Sequence, residues 1–301
     1  MSLSTFSPFR GIDVRSAPIA DLQQCLQELF VGLRIAAPAI AAGAKFYRVR
    51  IVGDRIPKSI AELVPNIIDV GMPPKDRITR PGRLNDIGEQ VGYFSDSRRS
   101  AYFEMSPKVG DVVILSRWIS TCALSLLHIG YTDEALKKLG SARNPDEIAW
   151  AEATRCLDTR NWDVYGYISS EITKRVNSGD EAAYKTTIAM AKWFFGQGEH
   201  DGLIYPTIAM CGNANNVALK PDRVSKLRLT SVDFNRVTRV EGMNADLDLI
   251  DSAVQWDDAG AIKWNGRRIK WEIGPGEEFT WADIDGENVA VNPVGVEFPR
   301  C

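Results

Sequence analysis

The chain contains very little histidine, which limits the chemistry available to it. Its two histidines are His128 and His200, and neither stands in a motif that would place it beside a nucleophile. A mechanism based on serine, histidine and aspartate, or on cysteine and histidine, would have to use one of them. The sequence therefore disfavours a hydrolase of either type.

Cysteine is also sparse. The five cysteines are scattered along the 301 residues, without the paired spacing of a zinc site or of a disulfide framework. His200 is followed by Asp201, but one histidine and one aspartate are too few ligands for a metal site. We therefore expect no bound metal and a reducing, cytoplasmic environment.

Long apolar runs and a dominant charge are missing too. The longest apolar run, residues 29–44, is interrupted by Arg34 and Pro38 and is too short to cross a bilayer. No secretory signal pattern stands at the N-terminus. Lys and Arg total 36 against 39 Asp and Glu, so the net charge of -3 gives no reason to bind a polyanion. We expect neither a membrane nor a nucleic acid as the main partner.

Two glycine-rich phosphate-binding motifs are absent as well. The sequence contains no GxGxxG between a strand and a helix and no GxxxxGK[ST]. These motifs supply the backbone N–H groups of the Rossmann and P-loop phosphate sites. A nucleotide bound by this chain must therefore be held in another way.

The apolar pattern predicts a chain with both helices and strands. An amphipathic helix is predicted over residues 21–33, where apolar residues recur at helical spacing. Strict alternation over residues 45–52 predicts a strand that carries Arg48 and Arg50 on one face. A loop follows over residues 55–82, which are rich in proline, glycine and charge, and long loops often line a site.

Later segments continue this mixed pattern. The stretch QVGYFS predicts a strand, followed by a short helix that opens at Asp96 or Ser97 and by a strand in GDVVILS. Residues 132–199 predict helices throughout. The C-terminal part predicts two β-hairpins, turned by the pairs Asn265-Gly266 and Asp285-Gly286.

Several short stretches occur in the order of a known family pattern. They are FYRVR with Arg48, GRLNDIG with Arg83 and Asn85, GYFSDS with Tyr93, AYFEM with Glu104, and DGLIYPTIAMCGNANNVAL with Thr207. The chain resembles the RES-domain proteins, bacterial NAD-consuming toxins with an ADP-ribosyltransferase-like fold, named for an arginine, a glutamate and a serine. The resemblance covers roughly residues 45–240 in separate blocks, and Thr207 stands where the family has serine.

The resemblance implies a fold and a domain division. We expect an α+β fold with an ADP-ribosyltransferase-like split β-sheet core, a helical layer and a β-hairpin-rich C-terminus. A RES-like catalytic domain would span residues 1–240, with a helical insertion at about 132–199 that serves as a lid, an interface or a passive insertion. A β-hairpin-rich extension would span residues 241–301.

The resemblance also implies site residues. The catalytic set would be Arg48, Tyr93, Glu104 and Thr207, and the NAD-binding set would be Arg48, Arg83, Asn85 and Tyr93. Cleavage of the nicotinamide-ribose bond develops positive charge on the ribose, which the carboxylate of Glu104 would stabilise. Arg48, with Arg83 as a second contact, would hold the pyrophosphate. Tyr93 would stack on nicotinamide, and Thr207 would offer its hydroxyl to the ligand or to Glu104.

The implied function is degradation of NAD, with water or inorganic phosphate as the acceptor, by the toxin of a toxin–antitoxin pair. Partners compatible with this function are NAD as substrate, an antitoxin protein and a second copy of the chain. One alternative is an ADP-ribosyltransferase that modifies a macromolecule. The other is a non-catalytic interaction protein whose pocket has decayed, an alternative favoured by Thr207.

Overall fold

The chain is a mixed α+β protein, as its sequence predicts. The computed structural model describes residues 8–9, 11–143, 159–177, 179–198, 200–265, 269–273, 280–284 and 287–291. The chain forms two compact units, each assembled from separate stretches. Unit 1 comprises Met1–Ala42, Pro73–Tyr93 and Cys122–Lys226, and unit 2 comprises Gly43–Met72, Phe94–Thr121 and Leu227–Cys301.

Helices and strands are mixed up to residue 196, and strands predominate after it. The helices are α1 (Ile19–Phe30), α2 (Ile60–Leu63), α3 (Arg98–Glu104), α4 (Asp133–Leu139), α5 (Thr159–Ile172) and α6 (Lys185–Gly196). The strands up to residue 128 are β1 (Ala39–Ile40), β2 (Lys45–Gly53), β3 (Gly92–Ser95), β4 (Val112–Ser120) and β5 (Leu124–His128). The later strands are β6 (Gly202–Pro206), β7 (Asn215–Leu219), β8 (Leu227–Glu241), β9 (Asn244–Ala253), β10 (Gln255–Trp256), β11 (Ile262–Lys263), β12 (Ile269–Ile273), β13 (Thr280–Ile284) and β14 (Glu287–Val291).

Unit 1 begins with the predicted amphipathic helix. Leu22, Leu26 and Phe30 of α1 recur every four residues and are fully buried. Phe30 stacks on Phe194 of α6, with ring centroids 5.4 Å apart, so α1 and α6 share one core. The helix stops at Phe30, shortly before Gly32 takes a left-handed φ of 75°.

The rest of unit 1 combines a small mixed sheet with helices. Its strands lie in the order β1, β5, β6 and β7; β5 and β6 are parallel, and the other neighbours are antiparallel. The predicted helical stretch is confirmed by α4, α5 and α6, although residues 144–158 lie outside the described residues. No helix in the described ranges is long and apolar enough to cross a membrane.

A buried carboxylate connects the central strands of this sheet to the segment that follows β7. Asp201 is 2% exposed and stands directly before β6. Its Oδ1 accepts a hydrogen bond from Lys226 Nζ at 2.6 Å and lies 3.7 Å from Arg223 Nε. Its Oδ2 accepts from the N–H of Ser125 in β5 at 2.9 Å. One side chain therefore joins β5, β6 and the segment after β7.

Unit 2 is built on an antiparallel sheet. Its strands lie in the order β2, β4, β8, β9, β12, β13 and β14, and Ser95 at the end of β3 pairs with Tyr47 of β2. The predicted strand at residues 45–52 is therefore confirmed as β2. The short helix α3 opens as predicted, because Ser97 Oγ accepts the N–H of Ser100 at 3.0 Å.

The C-terminal strands confirm one predicted hairpin and correct the other. β13 and β14 pair along their full length, and their predicted turn pair Asp285-Gly286 lies outside the described residues. The hairpin predicted across Asn265-Gly266 is wrong, because β11 pairs with β10 while β12 pairs with β9 and β13. Strand length explains why β12 pairs with β9 and not with β11. β11 has only 2 residues, whereas β9 has 10 and can pair with all five residues of β12. Gly266 lies outside the described residues.

The domain division at residue 240 stays a prediction. β8 and β9, which lie on its two sides, pair from Val232 to Glu241. One face of this sheet is covered by α3 and forms an apolar cluster. Its members include Tyr47, Val49 and Leu115.

We expect Asp201→Asn to lower the free energy of unfolding by roughly 1–3 kcal/mol, since it removes the charge that Lys226 and Arg223 share inside unit 1. The measurement is urea unfolding of the two proteins at neutral pH. Asp222→Asn is the matched control, because Asp222 pairs with the same Arg223 but has a 68% exposed side chain. Equal stability of the two variants would contradict the structural role of Asp201.

Candidate functional site

The loop over residues 73–93, here the 73–93 loop, lies wholly in unit 1 and is held by its own hydrogen bonds. Gln90 Nε2 donates to the carbonyl of Pro73 at 2.9 Å, which closes the loop near its ends. The N–H of Gly88 donates to the carbonyl of Ile78 at 2.9 Å. These bonds give a long irregular segment a defined shape.

Tyr93 organises the centre of this loop. Its hydroxyl accepts a hydrogen bond from the N–H of Leu84 and donates one to Asn85 Oδ1, both at 2.9 Å. Asn85 is 5% exposed, so its amide is held inside the loop. The structure thus brings together two of the residues that the sequence predicts for NAD binding.

Gly82 is required by this arrangement. A Cβ added at Gly82 would lie 2.5 Å from Asn85 Oδ1 and 3.2 Å from the Tyr93 hydroxyl. The N–H of Gly82 also donates to the carbonyl of Asn85 at 2.9 Å. The glycine of the GRLNDIG stretch therefore permits a close approach of the chain to itself.

These residues line a cavity of about 270 Å³, here the loop cavity. Its wall includes Gly82, Asn85 and Tyr93, together with Arg77 and Arg80. It also includes one acid, Glu89, whose carboxylate forms an ion pair with Lys192. The loop cavity is therefore cationic, which suits an anionic group.

Sequence reasoning missed Arg77 and Arg80. Both are exposed, and Arg80 makes no hydrogen bond or ion pair with any described residue. The available signal was the segment DRITRPG, in which two arginines stand three residues apart in a loop rich in proline. A guanidinium at a cavity wall presents several N–H donors to a phosphate.

Arg83, the predicted second contact to pyrophosphate, has a different environment. Its Nη1 donates to the carbonyls of Ile172 and Lys174, each at 3.0 Å. The guanidinium carbon lies 5.3 Å from the centre of the Tyr184 ring, a cation–π contact. Thr187 Oγ1 donates to the carbonyl of Arg83. Arg83 does not line the loop cavity and fastens the 73–93 loop to the helices of unit 1.

Thr207 is fully buried directly after β6. Its N–H donates to the carbonyl of Ala214 at 3.0 Å, and its carbonyl accepts from the N–H of Gly212 at 2.7 Å. The residue therefore closes a compact turn of unit 1. Its hydroxyl has no exposed surface to offer a ligand in this conformation.

Arg48 and Glu104 both belong to unit 2, where they lie apart. Arg48 lies opposite Ser116 in the pairing of β2 with β4. Its neighbours Tyr47 and Val49 pack in the cluster beneath α3, and successive side chains of a strand alternate between faces. Arg48 is therefore on the face away from α3, whereas Glu104 is the exposed last residue of α3. The structure does not bring the two to one face of the sheet.

Unit 2 also contains a buried charged group that sequence reasoning missed. Arg98 of α3 is 7% exposed, and Arg117 of β4 is 5% exposed and donates through Nε to Thr230 Oγ1 at 3.1 Å. Burial raises the pKa of Asp233 to about 6, although the charges of both arginines act to lower it. These residues are far apart in the sequence, and no local pattern marks them as partners.

Histidine and metal chemistry find no support in the described residues. His128 is 3% exposed, and burial lowers its pKa to about 3, so it is a neutral core residue. Among the described ranges, no group of three or more His, Cys, Asp or Glu residues could hold a metal ion.

No protein-family model matches the chain, and no curated protein matches it. A functional proposal must therefore be based on the residue pattern and on the geometry of the loop cavity.

Tyr93→Phe should lower the free energy of unfolding by about 1–3 kcal/mol, because it leaves the N–H of Leu84 and the amide of Asn85 without their shared partner. Urea unfolding measures the change. Tyr184→Phe is the control, since the ring that contacts Arg83 is retained and the lost Tyr184 hydroxyl has no hydrogen bond among the described residues. If both variants are as stable as the parent, Tyr93 does not organise the loop.

Proposed function

We propose that the protein degrades NAD by cleaving the nicotinamide-ribose bond, with water or inorganic phosphate as the acceptor. The observation that carries the proposal is the loop cavity, whose wall combines Tyr93, Asn85 and Gly82 with Arg77 and Arg80. An aromatic ring, an amide and two cations are the groups that a dinucleotide requires. The proposal includes an ADP-ribosyltransferase-like fold.

The volume of the loop cavity limits what it can hold. Its size of about 270 Å³ is below the range of roughly 300–1,000 Å³ that is usual for pockets of drug-sized ligands. It therefore suits one part of a dinucleotide. The arginines favour a part that carries phosphate, so the proposal assigns Arg77 and Arg80 to the pyrophosphate.

Tyr93 is suited to hold a flat ring in one orientation. Its hydroxyl is bonded on two sides, so rotation of the side chain would break both bonds. A fixed aromatic ring can stack on nicotinamide and restrict it to a reactive orientation. The role predicted for Tyr93 is retained in the proposal.

The role predicted for Glu104, the carboxylate beside the reacting ribose, is kept as a prediction; Glu104 belongs to unit 2 and is not in the wall of the loop cavity. It ends α3, where the helix dipole places partial negative charge. Both the side chain and the helix end would therefore favour the positive charge that develops during bond cleavage. The roles predicted for Arg48 and Thr207 stay predictions, and contact between NAD and Thr207 requires a movement that exposes this side chain.

An enzyme that consumes NAD harms the cell that makes it unless it is restrained. The proposal therefore includes a cytoplasmic toxin restrained by an antitoxin protein. A second copy of the chain is a further proposed partner. Neither partner is needed for the chemistry at the loop cavity.

We expect the purified protein to release nicotinamide from NAD, and Glu104→Gln to reduce the rate at least about 100-fold, because it removes charge and keeps shape. Chromatography with and without phosphate identifies the products. Glu134→Gln changes an exposed acid of α4 and should retain full activity. An equally active Glu104→Gln variant would exclude the proposed role of Glu104.

The same assay separates the alternative functions. Nicotinamide release only after a macromolecule is added would identify an ADP-ribosyltransferase. No release by a folded protein would contradict catalysis and identify a non-catalytic interaction protein, an alternative consistent with the burial of Thr207.

We expect Arg80→Gln to weaken NAD binding about tenfold, because a charge-assisted hydrogen bond to phosphate contributes roughly 1.5–3 kcal/mol. Calorimetric titration in a Glu104→Gln background keeps NAD intact during the measurement. Arg175→Gln, also exposed in unit 1 but absent from the wall of the loop cavity, is the control. Equal affinity of the two variants would remove Arg80 from the phosphate site.

A further inference from the structure

Unit 1 contains a second cavity, of about 380 Å³, here the helix cavity. It lies between the N-terminal segment around Arg15, the C-terminal half of α5 and the start of α6. It shares no lining residue with the loop cavity. Its volume is within the range of roughly 300–1,000 Å³ for small-molecule pockets.

The carboxylate of Glu171, in the wall of the helix cavity, has no close partner among the described residues. The Glu171 side chain is 18% exposed, and its one ion pair with a described residue is to Lys174 at 4.0 Å. A carboxylate largely removed from water is costly unless a donor or a cation approaches it closely. Burial and the charge of Glu171 together raise the pKa of the neighbouring Tyr167. Glu171 is therefore suited to receive a cation.

Two cations stand nearer to solvent at the same cavity. The Arg15 side chain is 63% exposed and binds Asp180 through both terminal nitrogens of its guanidinium. The Lys174 side chain is 53% exposed and has no ionic partner closer than Glu171 among the described residues. Because Asp180 already occupies the guanidinium of Arg15, Lys174 is the cation that an anionic group would meet in the outer part of the helix cavity, while Glu171 lies deeper.

Part of the remaining wall of the helix cavity is apolar. This part is formed by Phe9, Val14, Ala182 and Ala183, and the rest of the wall contains Gly166, Tyr167, Ser170 and Thr186. Phe9 is 6% exposed and belongs to the core of unit 1, so this part of the wall is firmly packed. A ligand that fills the cavity would gain by burying an apolar group there.

We propose that the helix cavity binds a small zwitterion that carries an ammonium group, a carboxylate and an apolar side group, the chemical class of the apolar amino acids. The ammonium group binds Glu171, the carboxylate binds Lys174, and the apolar group packs on Phe9 and its neighbours. A zwitterion satisfies both signs of charge at once, which a simple anion or cation does not. The proposal is independent of NAD degradation.

Calorimetric titration with L-leucine, isoamylamine and isocaproate tests each interaction separately. Isoamylamine lacks the carboxylate of leucine, and isocaproate lacks its ammonium group. We expect leucine to bind at least about tenfold more tightly than either, because each lost charge-assisted bond contributes roughly 1.5–3 kcal/mol. Failure of leucine to bind, or equal binding of all three, would overturn the proposal.

Glu171→Gln identifies the carboxylate that receives the ammonium group. We expect leucine affinity to fall about tenfold in this variant and isocaproate affinity to stay unchanged or rise. Asp163→Asn, at another exposed acid of α5 outside the cavity wall, is the matched control and should bind leucine normally. Thermal unfolding of each variant verifies that it is folded, and undiminished leucine binding by folded Glu171→Gln would exclude the site. The readout is binding, so a failure here leaves the nicotinamide assay unaffected.

Discussion

The centre of the 73–93 loop is organised by one hydroxyl group, that of Tyr93. A loop of this length has many backbone donors and acceptors that no neighbouring strand satisfies, and each must find another partner. The Tyr93 hydroxyl serves an N–H on one side and a side-chain amide on the other. The close approach of Gly82 to Asn85 is possible because glycine has no Cβ, which would lie 2.5 Å from Asn85 Oδ1. The two bonds of this hydroxyl therefore fix both the centre of the loop and the orientation of the Tyr93 ring.

The arginines of this region make different contacts because their surroundings differ. Arg83 Nη1 donates to two backbone carbonyls, and the guanidinium lies over an aromatic ring inside unit 1. Arg80 stands exposed at the wall of the loop cavity and makes no hydrogen bond or ion pair with a described residue. The presence of an arginine in a sequence motif therefore does not show whether its guanidinium binds the protein or remains exposed.

The sequence predicts local features well because local physics determines them. The helix that begins at Ile19 follows from apolar spacing, β2 follows from strict alternation, and the start of α3 follows from the serine that caps it. The hydrogen bond between Tyr93 and Asn85 could also have been predicted, because the two residues lie close together in the sequence. The ADP-ribosyltransferase-like character of the fold stays a prediction.

Long-range features could not be predicted in the same way. The three partners of Asp201 are set by which strands become neighbours, and no local pattern encodes that. The burial of Thr207 depends on the turn that closes over it. The partner of β12 was missed because a turn sequence specifies how a chain reverses, not whether a longer strand competes for the same edge.

The two carbonyls bound by Arg83 belong to the end of α5 and the segment that follows it, where Glu171 and Lys174 also line the helix cavity. The backbone of Arg83 continues directly into the wall of the loop cavity at Gly82. The side chain of Arg83 thus connects the walls of two separate cavities. If the C-terminus of α5 is displaced, the turn at Gly82 must move with it or the two hydrogen bonds of Arg83 must break.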